Sequence, residues 1–297
     1  MTPSLGHFYN IYMREDQRKA DHAAGPRLRN LEFTERDLDF LVETVSPETR
    51  DKGRLRQIIR EDKDFRNSYV GDEKVFRRLM DEEETFLRIS PVLFFEVLLR
   101  KAARDLEKAG YTVEKSRTMK IPVFDTQEVV DLLNREDLLF YLADMLSSFT
   151  RVENYSISIR VRKGIWERIR FNDLDILSLV KFLQFVDDEY RLGFYKRIAD
   201  ICLFIMGIFP DYAERDYRYP FSGRVRPHIR GKLRISPGDY AEEGQKFYKL
   251  AAEHPSAREL HLEEIFWALH RDFEKAKKPL NFIADHYLRY RRDTFFG

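Results

Sequence analysis

Between residues 214 and 234, seven cationic side chains stand against two acids: Arg215, Arg218, Arg224, Arg226, Arg230, Lys232 and Arg234 against Glu214 and Asp216. Tyr217, Tyr219 and Phe221 interleave with them, and Pro220, Gly223, Pro227 and Gly231 keep the stretch irregular. Arginine beside aromatic rings is the combination that grips phosphates and stacks bases. Arginine also pairs with carboxylates two bonds at a time, so an acidic protein, or this chain's own acidic clusters, is the competing destination. The whole chain carries +1 and this segment +5, which leaves −4 for the remainder. A near-neutral total therefore conceals a local basic patch. Arg160 and Arg162, on the polar side of an alternating stretch, extend the set of anion-binding candidates.

Acid–base and metal chemistry have thinner support. Glu263, His270 and Glu274 fall at i, i+7 and i+11 of a helical pattern that also holds Trp267, so one helix face could present all three, with His261 nearby. The plainer reading is a solvated stripe beside Ile265, Phe266 and Leu269. Asp81-Glu82-Glu83-Glu84 and Asp187-Asp188-Glu189 are acidic runs of the kind that lie in water at helix ends. Asp200 differs, because it opens a run of apolar residues, and a buried carboxylate needs a partner. Arg197 is too close in sequence to serve well, so a distant arginine, tyrosine or backbone group is expected; Asp239 is a second candidate for a polar contact in the core. No glycine-rich nucleotide loop, GxSxG elbow, HExxH or Glu-x-x-His pair occurs. The single cysteine, Cys202, excludes an internal disulfide and a thiolate zinc site within one chain. No cofactor is implied.

The elements that must position these residues read as helices. Ile201–Phe209 is apolar apart from Gly207, Pro210 ends it, and Tyr195 and Ile198 extend its stripe upstream. A helix apolar on nearly all sides is a buried one. Thr34 and Asp72 are placed to cap helices. Ser46-Pro47, Ser90-Pro91 and Ser236-Pro237 each resemble a helix start, and Gly110 a helix end. Asp125-Thr126-Gln127-Glu128 matches a capping box. Two helical segments over about 257–277 and 280–292 close the chain. Tyr111–Phe124 is a connector with some extended character. Tyr155, Ile157, Ile159 and Val161 alternate with polar residues, and Lys163-Gly164 leads into Ile165–Phe171, which predicts a hairpin.

The block RIADICLFIMGIFPDY, with Asp200, Leu203, Phe204, Gly207 and Phe209 in the pattern Asp-x-x-Leu-Phe-x-x-Gly-x-Phe, resembles a family of uncharacterised bacterial helical proteins. Asp239-Tyr240 and Gly244-Gln245-Lys246-Phe247-Tyr248 resemble that family's second block, and the basic insert between the two departs from it. The resemblance implies a helical fold and no activity.

The resulting expectation is a mainly α chain, a multi-helix, bundle-like body with one small β-hairpin. Residues 1–30 form an N-terminal arm and 31–297 a single helical domain, with 111–125 as the place where it would subdivide. A hydrophobic share of 43% excludes a disordered chain. The N-terminus has no signal-peptide pattern, and no apolar stretch reaches the roughly 18–20 residues of a membrane span, so a soluble cytoplasmic protein is expected. The leading function is a non-enzymatic binding or regulatory module with an anionic partner. An enzyme or ligand carrier with an inter-helix pocket near Asp200, Glu263 and His270 is the alternative. Self-association, suited by the many aromatics, is the third.

Overall fold

The computed structural model describes residues 33–82, 85–116, 119–150, 154–162, 165–172, 176–183, 188–210, 237–289 and Phe296. It is mainly α. By its contacts the chain falls into two units: Leu28–Thr150 with Glu274–Phe295, and Arg151–Phe273 with Phe296. The single helical domain expected from residue 31 is thus divided, and the 111–125 connector lies inside the first unit, not at the division.

In the first unit, Thr34 opens α1 (Glu35–Val45) through a reciprocal capping box with Asp37. The second oxygen of Asp37 accepts from Ser90 N at 2.7 Å, which ties this helix start to that of α6 (Pro91–Ala109), 53 residues further on. Between them come α2 (Lys52–Glu61), α3 (Lys63–Val70), α4 (Glu73–Asp81) and the single turn α5 (Thr85–Arg88). Ser46-Pro47 does not start a helix. Ser46 ends α1 and its hydroxyl meets Tyr69 Oη at 2.8 Å, while Asp51 caps α2. Helix α6 behaves as its residues dictate: Ser90 accepts from Leu93 N, Pro91 occupies the first turn, and Gly110 ends it at φ 72°, a conformation glycine adopts without steric cost.

The connector then forms a hairpin of its own, β1 (Thr112–Ser116) with β2 (Met119–Val123). It leads into α7 (Thr126–Leu133) and α8 (Glu136–Ser148). The capping box at Asp125 is not made: its carboxylate takes the hydroxyl of Thr112 at 2.5 Å and the amine of Lys278 instead. A partner 153 residues away outcompetes the local amide.

In the second unit, the expected hairpin forms from β3 (Asn154–Arg162) and β4 (Ile165–Asn172), followed by α9 (Ile176–Leu183), a 3₁₀ turn at Asp188–Tyr190, and α10 (Arg191–Ile208). Every residue of α10 from Ile198 to Ile208 is buried, Asp200 and Gly207 included, as a helix apolar on nearly all sides requires. Helices α11 (Pro237–Glu253), α12 (Pro255–Glu259) and α13 (Glu263–Arg271) follow. His254 ends α11 and caps α12, its Nδ1 accepting from Ser256 N. α10 and α11 run antiparallel, with Cys202 opposite Gly244, Asp200 opposite Tyr248, and Tyr195 opposite Phe247. Helix α14 (Phe273–His286), which from Glu274 onward belongs to the first unit, passes through Pro279, where the sequence suggests a break. Among the described residues no helix is long and apolar enough to cross a membrane.

Candidate functional site

The basic segment 214–234 lies outside the described residues, with Arg218, Arg224, Arg226, Arg230, Lys232, Arg234, Tyr217, Tyr219 and Phe221. The helices on either side of it are described, and among the described helices of their unit they form the most closely joined pair. Because α10 and α11 are antiparallel, the end of α10 at Ile208 and the start of α11 at Pro237 lie at the same end of the pair.

A buried polar clamp sets their register. Asp200 is fully buried; Lys196 donates to its Oδ2 at 2.7 Å from one turn earlier, and the hydroxyl of Tyr248, also fully buried, donates to Oδ1 at 2.8 Å. The distant partner that the sequence required is thus a tyrosine on the facing helix. Both carboxylate oxygens are engaged, which is what a buried charge needs to persist. One turn of α11 away, Gly244 allows the helices to approach: a Cβ there would lie 3.0 Å from that of Cys202 and 2.5 Å from the ring of Phe273. Cys202 itself is fully buried, and burial pushes its thiol well above the ordinary range, with the charges of Glu243 and Asp200 adding to the effect. Only the thiolate is nucleophilic, so this cysteine is inert in the folded state.

The constellation of Glu263, His270 and Glu274 is not assembled. The expected helix over 257–277 is interrupted twice: by His261, which adopts φ 57°, and at Asp272, after which Phe273 turns inward to full burial. Glu263 is bound by the Arg258 guanidinium at 2.9 and 3.1 Å, and those hydrogen bonds hold its carboxyl below the usual value. His270 Nδ1 donates to the Gln245 carbonyl at 2.9 Å, fixing α13 to α11, and its ring lies edge-on to Trp267. Glu274 lies in the first turn of α14 and pairs with Lys277. Among the described residues no group of three histidine, cysteine or carboxylate side chains is placed to hold a metal. Asp239 is not the core residue its sequence context suggests: it is exposed in the first turn of α11, where the helix dipole favours a negative charge. At Arg160 and Arg162 the strand pairing shifts register, Arg160 opposite Trp166 and Arg162 opposite Ile165.

One charged cluster escaped the sequence reading. Glu96 sits fully buried in the middle of α6; Arg66 Nη2 donates to it at 2.7 Å and Arg100 Nε at 3.0 Å. Arg100 also donates to Asn67 Oδ1 at 2.6 Å, and Asn67 in turn donates to Glu136. The Arg66 guanidinium lies 4.2 Å from the ring centre of Phe33 and 4.6 Å from that of Phe140, a cation held between two aromatic faces. Burial pushes Glu96 above its usual value, and the two guanidinium groups pull it back. Burial likewise pushes Arg66 down, against Glu96. The signal was present in PVLFFEVLL, where one carboxylate stands among apolar neighbours on every side. Its arginines could not be named from sequence, since one of them lies 30 residues away on another helix.

Neither a protein-family model, a curated protein nor a solved structure matches this chain.

Proposed function

We propose that the protein is a non-enzymatic binding or regulatory module that engages an anionic partner, a nucleic acid or an acidic protein, through residues 214–234. The observation that carries this reading is the concentration of charge: +5 within 21 residues of a chain whose total is +1, with three aromatic rings interleaved. The antiparallel pair α10 and α11 supports it by tethering both ends of the segment at one end of a helix pair whose register is set by Asp200 and Tyr248. Anchoring of this kind lowers the entropy lost when a partner is bound. Binding would combine charge pairing by Arg218, Arg224, Arg226, Arg230, Lys232 and Arg234 with stacking on Tyr217, Tyr219 and Phe221. The enzymatic alternative finds less support, because Asp200, Glu263 and His270 are each engaged by a different structural partner.

The test is binding of labelled single-stranded RNA and DNA across a salt series. Affinity should fall steeply with salt, as counterion release demands. Combined substitution of Arg224, Arg226 and Arg230 by Glu should abolish binding while leaving the thermal unfolding midpoint unchanged. Equal binding by the triple variant would overturn the assignment.

A further inference from the structure

We propose that His254 is a proton-operated latch. Uncharged, it fastens the corner between α11 and α12 to the turn that opens α10; on taking up a proton it lets go of α12. The two ring nitrogens of this half-buried histidine are committed to opposite roles. Nδ1 lies 3.2 Å from Ser256 N, which can only donate, and Nε2 lies 2.7 Å from the backbone oxygen of Asp188, which can only accept. One state of the ring satisfies both: the neutral tautomer with its proton on Nε2. Tyr195 of α10 meets the ring edge-on, with 6.4 Å between centres.

A proton on Nδ1 is incompatible with this arrangement. Imidazole ordinarily changes charge between about pH 5 and 8, and both nitrogens of the charged ring are donors. Nδ1–H would then face Ser256 N–H, and that amide would lose its acceptor. The bond lost is the side-chain cap of α12, a helix of five residues and too short to be stable on its own. The bond to Asp188 survives, because Nε2 keeps its hydrogen. Protonation therefore opens one side of the latch: the corner stays strapped to the 3₁₀ turn while the first turn of α12 is released. At His270 and His286, by contrast, Nδ1 faces the carbonyl oxygens of Gln245 and Phe282 at 2.9 and 3.0 Å, and a charged ring keeps both bonds.

The charges around the ring set the pH of the event, not its outcome. Asp188 and Glu189 of the 3₁₀ turn, Glu253 at the end of α11 and the last carbonyls of that helix favour the charged ring; Arg191, Lys249, Arg258 and the amides that open α12 oppose it. Much of this charge is already balanced, because Arg191 pairs with Asp188, Lys249 with Glu253 and Arg258 with Glu263. Tyr195 on α10 and Glu259 on α12 are the other titratable groups at this corner. Whichever way the sum falls, the proton that arrives at Nδ1 takes the lone pair that Ser256 uses.

The test is nitrogen-15 NMR of the full chain, titrated from about pH 8 to about pH 5. At the upper end the ring nitrogens should report the Nε2–H tautomer. As pH falls, the Ser256 amide should exchange with solvent about tenfold faster, relative to an unprotected amide, in step with protonation of the ring. Asparagine caps helices without ionising, so H254N should keep the Ser256 amide protected at every pH. H254F, with neither donor nor acceptor, should lose that protection at every pH. Far-UV circular dichroism should stay constant throughout, which marks the change as local. The proposal is overturned if the neutral ring carries its proton on Nδ1, or if the Ser256 amide ignores protonation of the ring. It is equally overturned if H254N responds to pH as the unsubstituted chain does, if H254F stays protected, or if the helical signal falls along with the cap.

Discussion

Replacing Gly244 by alanine tests the α10–α11 contact most directly, because two effects of known sign oppose each other there. Gly244 is interior to a helix, where alanine is favoured over glycine by about 1 kcal/mol. An added Cβ, however, would lie 2.5 and 2.7 Å from Cε2 and Cζ of Phe273 and 3.0 Å from Cβ of Cys202. Carbon atoms in contact normally stand about 3.5–4.0 Å apart, so the Phe273 ring must move by about 1 Å. It has little room to do so: Phe273 is fully buried and packs against Tyr248, itself fully buried. Overpacking of this kind costs about 1–3 kcal/mol, typically more than the propensity gain. G244A should therefore destabilise by about 1 kcal/mol. G193A is the control, since Gly193 is exposed in the first turn of α10 and a Cβ there meets nothing within 4 Å. It should stabilise by about 0.4–1 kcal/mol. Urea unfolding followed by circular dichroism measures both. Alkylation of Cys202, which requires this unit to open, reports the same contact independently. In a G244A/F273L double variant, the smaller side chain should recover part of the loss. If G244A proves as stabilising as G193A, the close approach of these helices is wrong.

Three further outcomes follow from the buried polar groups. Tyr248→Phe removes one donor from the fully buried Asp200 and should cost about 1–3 kcal/mol; in an Asp200→Asn background the same change should cost less, and equal costs would show the two are uncoupled. Glu96→Ala leaves the half-buried Arg66 and Arg100 without their carboxylate and should cost about 3–5 kcal/mol in chemical denaturation; a loss below about 1 kcal/mol would refute the pairing with the buried Glu96. Asp105 and Asp125 bear on acid stability. Burial pushes both carboxyls up, but Lys101 and Tyr287 around Asp105, and Lys278 and Thr112 around Asp125, outweigh it and leave both below their usual values. A folded-state pKa below the unfolded one adds stability that is present above the unfolded value, about 3.9, and is lost as pH falls toward the folded one. The first unit should therefore weaken steeply below about pH 4, and D105N/D125N should be less stable at neutral pH with a flatter acid limb; superimposable acid limbs would sink the argument. Glu96, pushed up by burial, acts in the opposite sense and is common to both proteins.

The features legible in the sequence are those whose cause is local. Thr34 with Asp37, Ser90 with Pro91, and Gly110 make their contacts within one helical turn, so residue type and spacing suffice to place them. The period-two stretch from Tyr155 and the apolar run ending at Phe209 likewise declare a strand and a buried helix, because burial of one face, or of every face, writes itself as periodicity. Asp200 could be recognised as needing a partner, though not which one. Where a local motif met a distant competitor, tertiary structure decided. Asp125 abandoned its capping box for Lys278, Ser46 gave up a helix start for Tyr69, and the shared face of Glu263, His270 and Glu274 dissolved when Phe273 turned into the core. The hairpin at residues 112–123 and the clamp on Glu96 were likewise settled at long range. A cap or a turn is one hydrogen bond weighed against water and is worth about 1 kcal/mol. A fully buried aromatic ring contributes more, and which residues meet in the interior is a property of the packed chain.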